Sequence, residues 1–220
     1  LKDEDGIHSA SGSKLVTVNA ATPTLSLETG GNAALDEGST FTRSVAFSDG
    51  EDNGAPGWSY SIDYGDGSSA NGTTPVKSIE LNHQYTDGNA SRTVTVTLTE
   101  EVGESASDRF NLAVTNVAPT IPLSGSGNVI EGATYTLALG ALVDPGADAP
   151  TGYRIDWGDG IVQNYSPAEY AALGGSLQHI YADGVSTPTI TIAVTDEDGT
   201  HAAGSKTITV NNVAPTIALG

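Results

Sequence analysis

The chain has 220 residues, a formal net charge of −19, and neither cysteine nor methionine. Thiol chemistry and disulfide stapling are therefore excluded, and so negative a field repels nucleic acid and anionic membrane while favouring divalent cations or basic partners. No apolar run reaches the roughly eighteen residues of a membrane span, and 27 glycines and 10 prolines point to many turns.

In chain order, the first feature is the acidic hairpin turn Asp3-Glu4-Asp5-Gly6, whose match lies far downstream at Asp196-Glu197-Asp198-Gly199. Residues 1–19 read as the terminal hairpin of a preceding repeat, with Val16 and Val18 as its inward pair. Those apolar side chains need cover, which predicts strand addition from a neighbouring copy or segment. Thr22-Pro23-Thr24 then opens a unit that recurs. Pro23, Pro119 and Pro215 are spaced 96 residues apart, and Asn116-Val117-Ala118-Pro119-Thr120 is repeated as Asn212-Val213-Ala214-Pro215-Thr216. Two complete repeats result, 20–116 and 117–212, with the start of a further one at 213–220.

Each repeat reads as strand, turn, strand throughout. Around Tyr60-Ser61-Ile62-Asp63-Tyr64 and Tyr153-Arg154-Ile155-Asp156-Trp157, apolar and polar side chains alternate before breaking at Gly-Asp-Gly. Such alternation is the mark of a half-buried strand, and the glycines supply the positive φ of a tight hairpin. Tyr64 and Trp157 are the expected core anchors. About seven short strands per repeat, with turns every eight to twelve residues, predict antiparallel sandwiches of immunoglobulin (Ig)-like size. The second repeat carries an insertion, Ser166-Pro167-Ala168-Glu169, which reads as a capping box opening a short helix over 167–173, with Gly174 past its end.

These residues resemble the PKD (polycystic kidney disease) domain, an Ig-like sandwich. Its marks are Trp/Tyr-Gly-Asp-Gly, then His-x-Tyr, then a Gly before a Thr/Val-rich strand. Both repeats have them, at 64–67, His83/Tyr85 and Gly88, and at 157–160, His179/Tyr181 and Gly184. The resemblance implies an all-β chain of two tandem sandwiches in an end-to-end rod, acting as a non-catalytic extracellular spacer in a bacterial surface adhesin or filament protein. The alternative it leaves open is an accessory module that guides a secreted hydrolase to polysaccharide or protein. Tyr153, Tyr165 and Tyr170 are the candidates for an aromatic binding row.

Strand direction then sorts the acidic residues. The second repeat's N-terminal pole should gather Asp144, Asp148, Asp196, Glu197 and Asp198, facing Glu37, Asp66 and Asp87 across the short linker. Asp before Gly often does no more than make a turn, but carboxylates crowded at one junction call for a hard cation. Calcium, with six to eight oxygen ligands in flexible geometry, suits them. The first repeat has Thr99-Glu100-Glu101-Val102-Gly103 where the second has the acidic turn, so its own N-terminal pole is poorer in carboxylates. The duplicated His83 and His179 read as packing residues, and His8 and His201 as solvent-exposed turn residues. No catalytic set stands out: Asp156 and Asp159 are separated by strand and turn, and a thin sandwich offers no cleft.

Overall fold

A computed structural model describes residues 2–7, 12–16, 21–27, 32–50, 57–100 and 103–217. It opens with a minimal hairpin, β1 (Lys2–Asp3) and β2 (Gly6–Ile7), turning at Glu4-Asp5 as the acidic turn predicts. Two all-β sandwiches follow. Module 1 contains β3 (Thr24–Leu25), β4 (Ala33–Asp36), β5 (Thr40–Ser48), β6 (Trp58–Asp63), β7 (Ser69–Thr74), β8 (Ser78–Gln84), β9 (Ala90–Thr99) and β10 (Ser105–Thr115). Its sheets run β3-β5-β8 and β4-β10-β9-β6-β7, with β4 parallel to β10 and the remaining pairs antiparallel.

Module 2 repeats that plan with β11 (Leu123–Ser124), β12 (Asn128–Ile130), β13 (Thr134–Leu139), β14 (Gly152–Asp156), β15 (Val162–Tyr165), β16 (Ser176–Ile180), β17 (Thr189–Thr195), β18 (Thr200–Thr207) and β19 (Thr209–Asn211). One sheet is β11-β13-β16 and the other β15-β14-β17-β18, while β12 lies parallel to β19 as β4 does to β10. A first strand that switches sheets to run parallel with the last is what makes each module Ig-like. The final strand of module 2 is broken in two at Ile208, which is itself buried at 1% exposure.

Alternation places one face of each strand in a core. In β9, Val94, Val96 and Leu98 are all fully buried, and Ile190, Ile192 and Val194 do the same in β17. The two cores are separate clusters, one per module. Trp157 (0% exposed) and Tyr64 (3%) sit in them as anticipated. The carbonyl just after β14 or β6 is held by a buried tyrosine: Tyr181 Oη donates to the Trp157 carbonyl at 3.0 Å, and Tyr85 Oη to that of Tyr64 at 2.9 Å. This cross-link ties the Gly-Asp-Gly turn to the segment after β16 or β8.

The insertion is a helix, α1 (Pro167–Ala172), with the full capping box: Ser166 accepts from the Glu169 amide and Glu169 accepts from the Ser166 amide. It contributes no fully buried residue but stacks Tyr170 flat on Tyr153, with ring centroids 3.8 Å apart. Ser166→Ala therefore removes one cap, worth about 1 kcal/mol, at an exposed site. Module 2 should melt within a few degrees of its parent, with proteolytic nicking confined to 166–174.

Lys14–Val16 lie outside any strand, with Leu15 91% and Val16 69% exposed, so this segment does not pair with module 1 of its own chain. Val18 and His8 fall outside the described residues. No helix among the described residues is long and apolar enough to cross a membrane.

Candidate metal centre at the module junction

The linker 116–120 is held from both sides. On module 1, the turn after β4 presents Glu37, whose Oε1 accepts the Val117 amide at 2.8 Å. On module 2, Asp198 Oδ2 accepts from the Asn116 side chain at 2.8 Å. The loop between β13 and β14 reaches back, donating its Ala147 amide to the Thr86 carbonyl at 2.7 Å. The approach is close enough to dictate a residue type. A Cβ at Gly38 (φ +73°) would overlap the Pro145 carbonyl, and one at Gly146 would lie 2.8 Å from the Glu37 carboxyl carbon. Gly38 also needs the left-handed backbone that glycine adopts without strain.

Within this contact, carboxylate oxygens of Glu37, Asp144 and Asp148 all lie within 4.8 Å of one another. Glu37 is only 1% exposed, and its Oε2 has no hydrogen-bond partner. Both Asp148 oxygens are likewise shielded and unpartnered. Asp144 uses Oδ1 to accept the Gly146 amide at 3.1 Å, which shapes the loop. Burial first, then the negative charges of Glu37, Asp144, Glu197 and Asp198, push the Asp148 carboxyl up to about 6. Buried, unpaired carboxylates facing each other cost several kcal/mol unless a positive charge joins them. The donor set is all oxygen, which suits a hard cation rather than a transition metal.

The other predicted ligands divide into two groups. Asp196 (7% exposed) accepts the Asp198 and Gly199 amides with Oδ1, both at 3.0 Å, and keeps a buried, unpartnered Oδ2. It belongs to the same pole but shapes the turn first. Glu197 acts on the site through its charge. Asp66 and Asp87, placed at the junction by strand direction alone, are directed elsewhere. Asp66 meets His83 Nε2 at 2.6 Å, and Asp87 meets Arg92 at 3.3 Å. A pole holds many side chains, and each turns to its nearest opposite charge or donor, a choice that strand order does not encode. His201 also departs from expectation: its side chain is 21% exposed and lies 3.3 Å from Asp196 rather than in solvent. Sequence reasoning also missed that Glu37 grips the linker itself. The available signal was that Glu-Gly and Asn-Val-Ala-Pro-Thr recur together, at 37–38 with 116–120 and at 131–132 with 212–216.

His83 and His179 pack as their duplication suggested. Each ring stacks on the core aromatic, Tyr64 at 4.2 Å and Trp157 at 4.6 Å, and bonds the Asp of Gly-Asp-Gly at 2.6 Å. Burial raises Asp66 and Asp159, but the histidine bond and a turn amide outweigh it, leaving both below the usual carboxylate range. A depressed carboxylate stabilises the fold above its unfolded pKa of about 3.9, and that gain is lost as pH falls through the depressed value. Acid unfolding should therefore steepen below about pH 4. The double variant Asp66→Asn/Asp159→Asn should show a flatter acid limb, read by circular dichroism.

Tyr153, Tyr165 and Tyr170 do not form an exposed row, since Tyr153 is 8% exposed and faces Tyr170. No family model matches the chain, and no curated protein matches it either. Among solved structures it is similar to a Bacteroides ovatus mixed-linkage glucan utilization locus protein, SGBP-B, in complex with a heptasaccharide. That likeness has 16% identity over 87% of this chain and a TM-score of 0.33. It is also similar to the titin I-band fragment I67–I69 (13% identity, 88% of this chain and 67% of that one, TM-score 0.36). Sidekick-1 immunoglobulin domains 1–5 give 17% identity over 87% of this chain and 40% of that one, with a TM-score of 0.38. The chain spans about half the length of the glucan-locus protein, matching 48% of it. It is the strand order, rather than these likenesses, that makes the modules Ig-like.

Proposed function

We propose that the chain is a non-catalytic, extracellular spacer and interaction module of the PKD type, stiffened by calcium at its internal junction, of the kind repeated in bacterial surface proteins. One observation carries the reading: Glu37 gives its Oε1 to the linker amide, keeps a buried, unpartnered Oε2, and brings a carboxylate oxygen within 4.8 Å of oxygens of Asp144 and Asp148. A cation held there links linker, module 1 and module 2 through a single carboxylate. Losing it frees the hinge and leaves the repulsion. Asp196, with its spare Oδ2, and Asp198 lie at the same pole and complete an oxygen-rich shell through water or directly.

Contacts with neighbouring repeats or copies follow the same logic. Leu15 and Val16 are exposed, while β7 and β15 end their sheets, so strand addition to an open edge is the route for chain-to-chain contact. Glycan or protein surfaces remain the class of target for the parent rod. The test is small-angle scattering with calorimetry. Calcium should leave an elongated particle of fixed length, and chelator should broaden the distance distribution. Identical profiles and melting curves in both buffers would remove the metal centre.

A further inference from the structure

The far pole of module 2 copies the backbone that module 1 uses to receive its neighbour. Gly132 has the same φ of +73° as Gly38 and donates to the Tyr181 carbonyl, as Gly38 does to that of Tyr85. Glu131 accepts the Val213 amide at 2.8 Å, the distance at which Glu37 holds Val117. The difference lies in what stands opposite. A Cβ at Gly38 runs into Pro145, whereas a Cβ at Gly132 meets nothing within 4 Å.

The rims of the two poles also differ. In module 1 the equivalent rim positions are polar: Asp36, Ser68, Gln84 and Asn89. In module 2 they are Ile130, Ile161, Ile180 and Val185, with 53%, 50%, 54% and 78% of their surface exposed. Ile130 precedes Glu131, Ile180 precedes the tyrosine that receives Gly132, and Val185 follows the glycine whose amide bonds Glu131. Four exposed, branched apolar side chains in these turns are not needed by the module's own core. Grouped exposed apolar residues mark a contact surface.

We propose that this pole docks the N-terminal pole of a third sandwich, one that presents an Asp-Pro-Gly-x-Asp loop inside an apolar rim. The occupant is set by continuity with the interface already formed: the same Glu-Gly receptor takes the loop 144–148 of module 2 at the first junction. The apolar rim adds burial that the first junction lacks, so this contact depends less on a cation. The proposal rests on the junction reading for its cation but not for its docking.

The experiment lengthens the full chain by joining a second copy of residues 121–217 directly after Thr216, which keeps the 96-residue period. Hydrogen exchange at 130–132 and 180–185 should slow at least tenfold relative to the 220-residue chain, in calcium and in chelator alike. Ile180→Asp with Val185→Asp, at exposed positions, should abolish that protection while leaving the melting of the 220-residue chain unchanged. Unchanged exchange on lengthening would overturn the proposal. So would a self-associating 220-residue chain that these two substitutions dissociate, because the occupant would then be a second copy through the same face. Failure of the metal centre is read separately, as a missing calcium response in the 220-residue chain.

Discussion

Trp157→Ala should strongly destabilise module 2 and leave the stability of module 1 unchanged. Trp157, directly after β14, is fully buried. Its indole donates to Gln163 Oε1 at 2.9 Å, its carbonyl receives Tyr181 Oη, and its face carries the His179 ring. Truncation removes the largest buried side chain of that core, and a cavity of this kind costs about 3–5 kcal/mol. It also leaves the Gln163 oxygen without its donor. A single domain has about 5–15 kcal/mol in total, so the substitution takes a large share of module 2's stability. Because the two cores are separate clusters, calorimetry should resolve two transitions, with only one displaced. At about 4–8 °C per kcal/mol for a domain near this size, the displacement exceeds 10 °C. A uniform fall of both transitions would show instead that the junction makes the modules one cooperative unit.

Glu37→Gln is expected to raise the stability of the metal-free protein while abolishing its response to calcium. The two effects have opposite signs for one reason. In the absence of a cation, the Glu37 carboxylate faces Asp144 and Asp148 with Oε2 unpartnered and both Asp148 oxygens shielded. An amide removes one of the mutually repelling charges, while its oxygen can still accept the Val117 amide. Relief of a buried unsatisfied charge is worth about 1–3 kcal/mol. With a cation, the same change deletes a charged ligand. Wild-type protein at a hundredfold excess of calcium over its dissociation constant gains about 2.7 kcal/mol by mass action, and the variant should gain little. Melting curves of both proteins in calcium and in chelator check all four corners. A variant that is destabilised in chelator would mean that Glu37 serves the linker alone.

The repeat, the strands and their turns were legible because they are written locally. Alternation at period two needs only adjacent residues, and Gly-Asp-Gly announces its backbone: Gly158 and Gly160 have φ of +79° and +94°, as Gly65 and Gly67 have +77° and +94°. The capping box at 166–169 was equally local, and it formed α1 as read. The expectation of about seven strands per repeat, where the structure has eight and nine, and the 96-residue period were enough for an all-β tandem of Ig-like sandwiches. The junction was legible as a crowd of carboxylates, since strand direction alone decides which loops share a pole. Which members of the crowd meet was a matter for the tertiary structure. Asp66 and Asp159 each sit in Gly-Asp-Gly beside a histidine brought from 17 or 20 residues away, and that partner, not the junction, takes the charge. Glu37 becomes central because Gly38 packs against Pro145 and Gly146 against the Glu37 carboxylate, which is buried with one oxygen lacking a donor. Tyr153, a candidate for a binding face, is covered by Tyr170 from the inserted helix. Side-chain direction and burial arise only when the poles touch, and no local pattern records them.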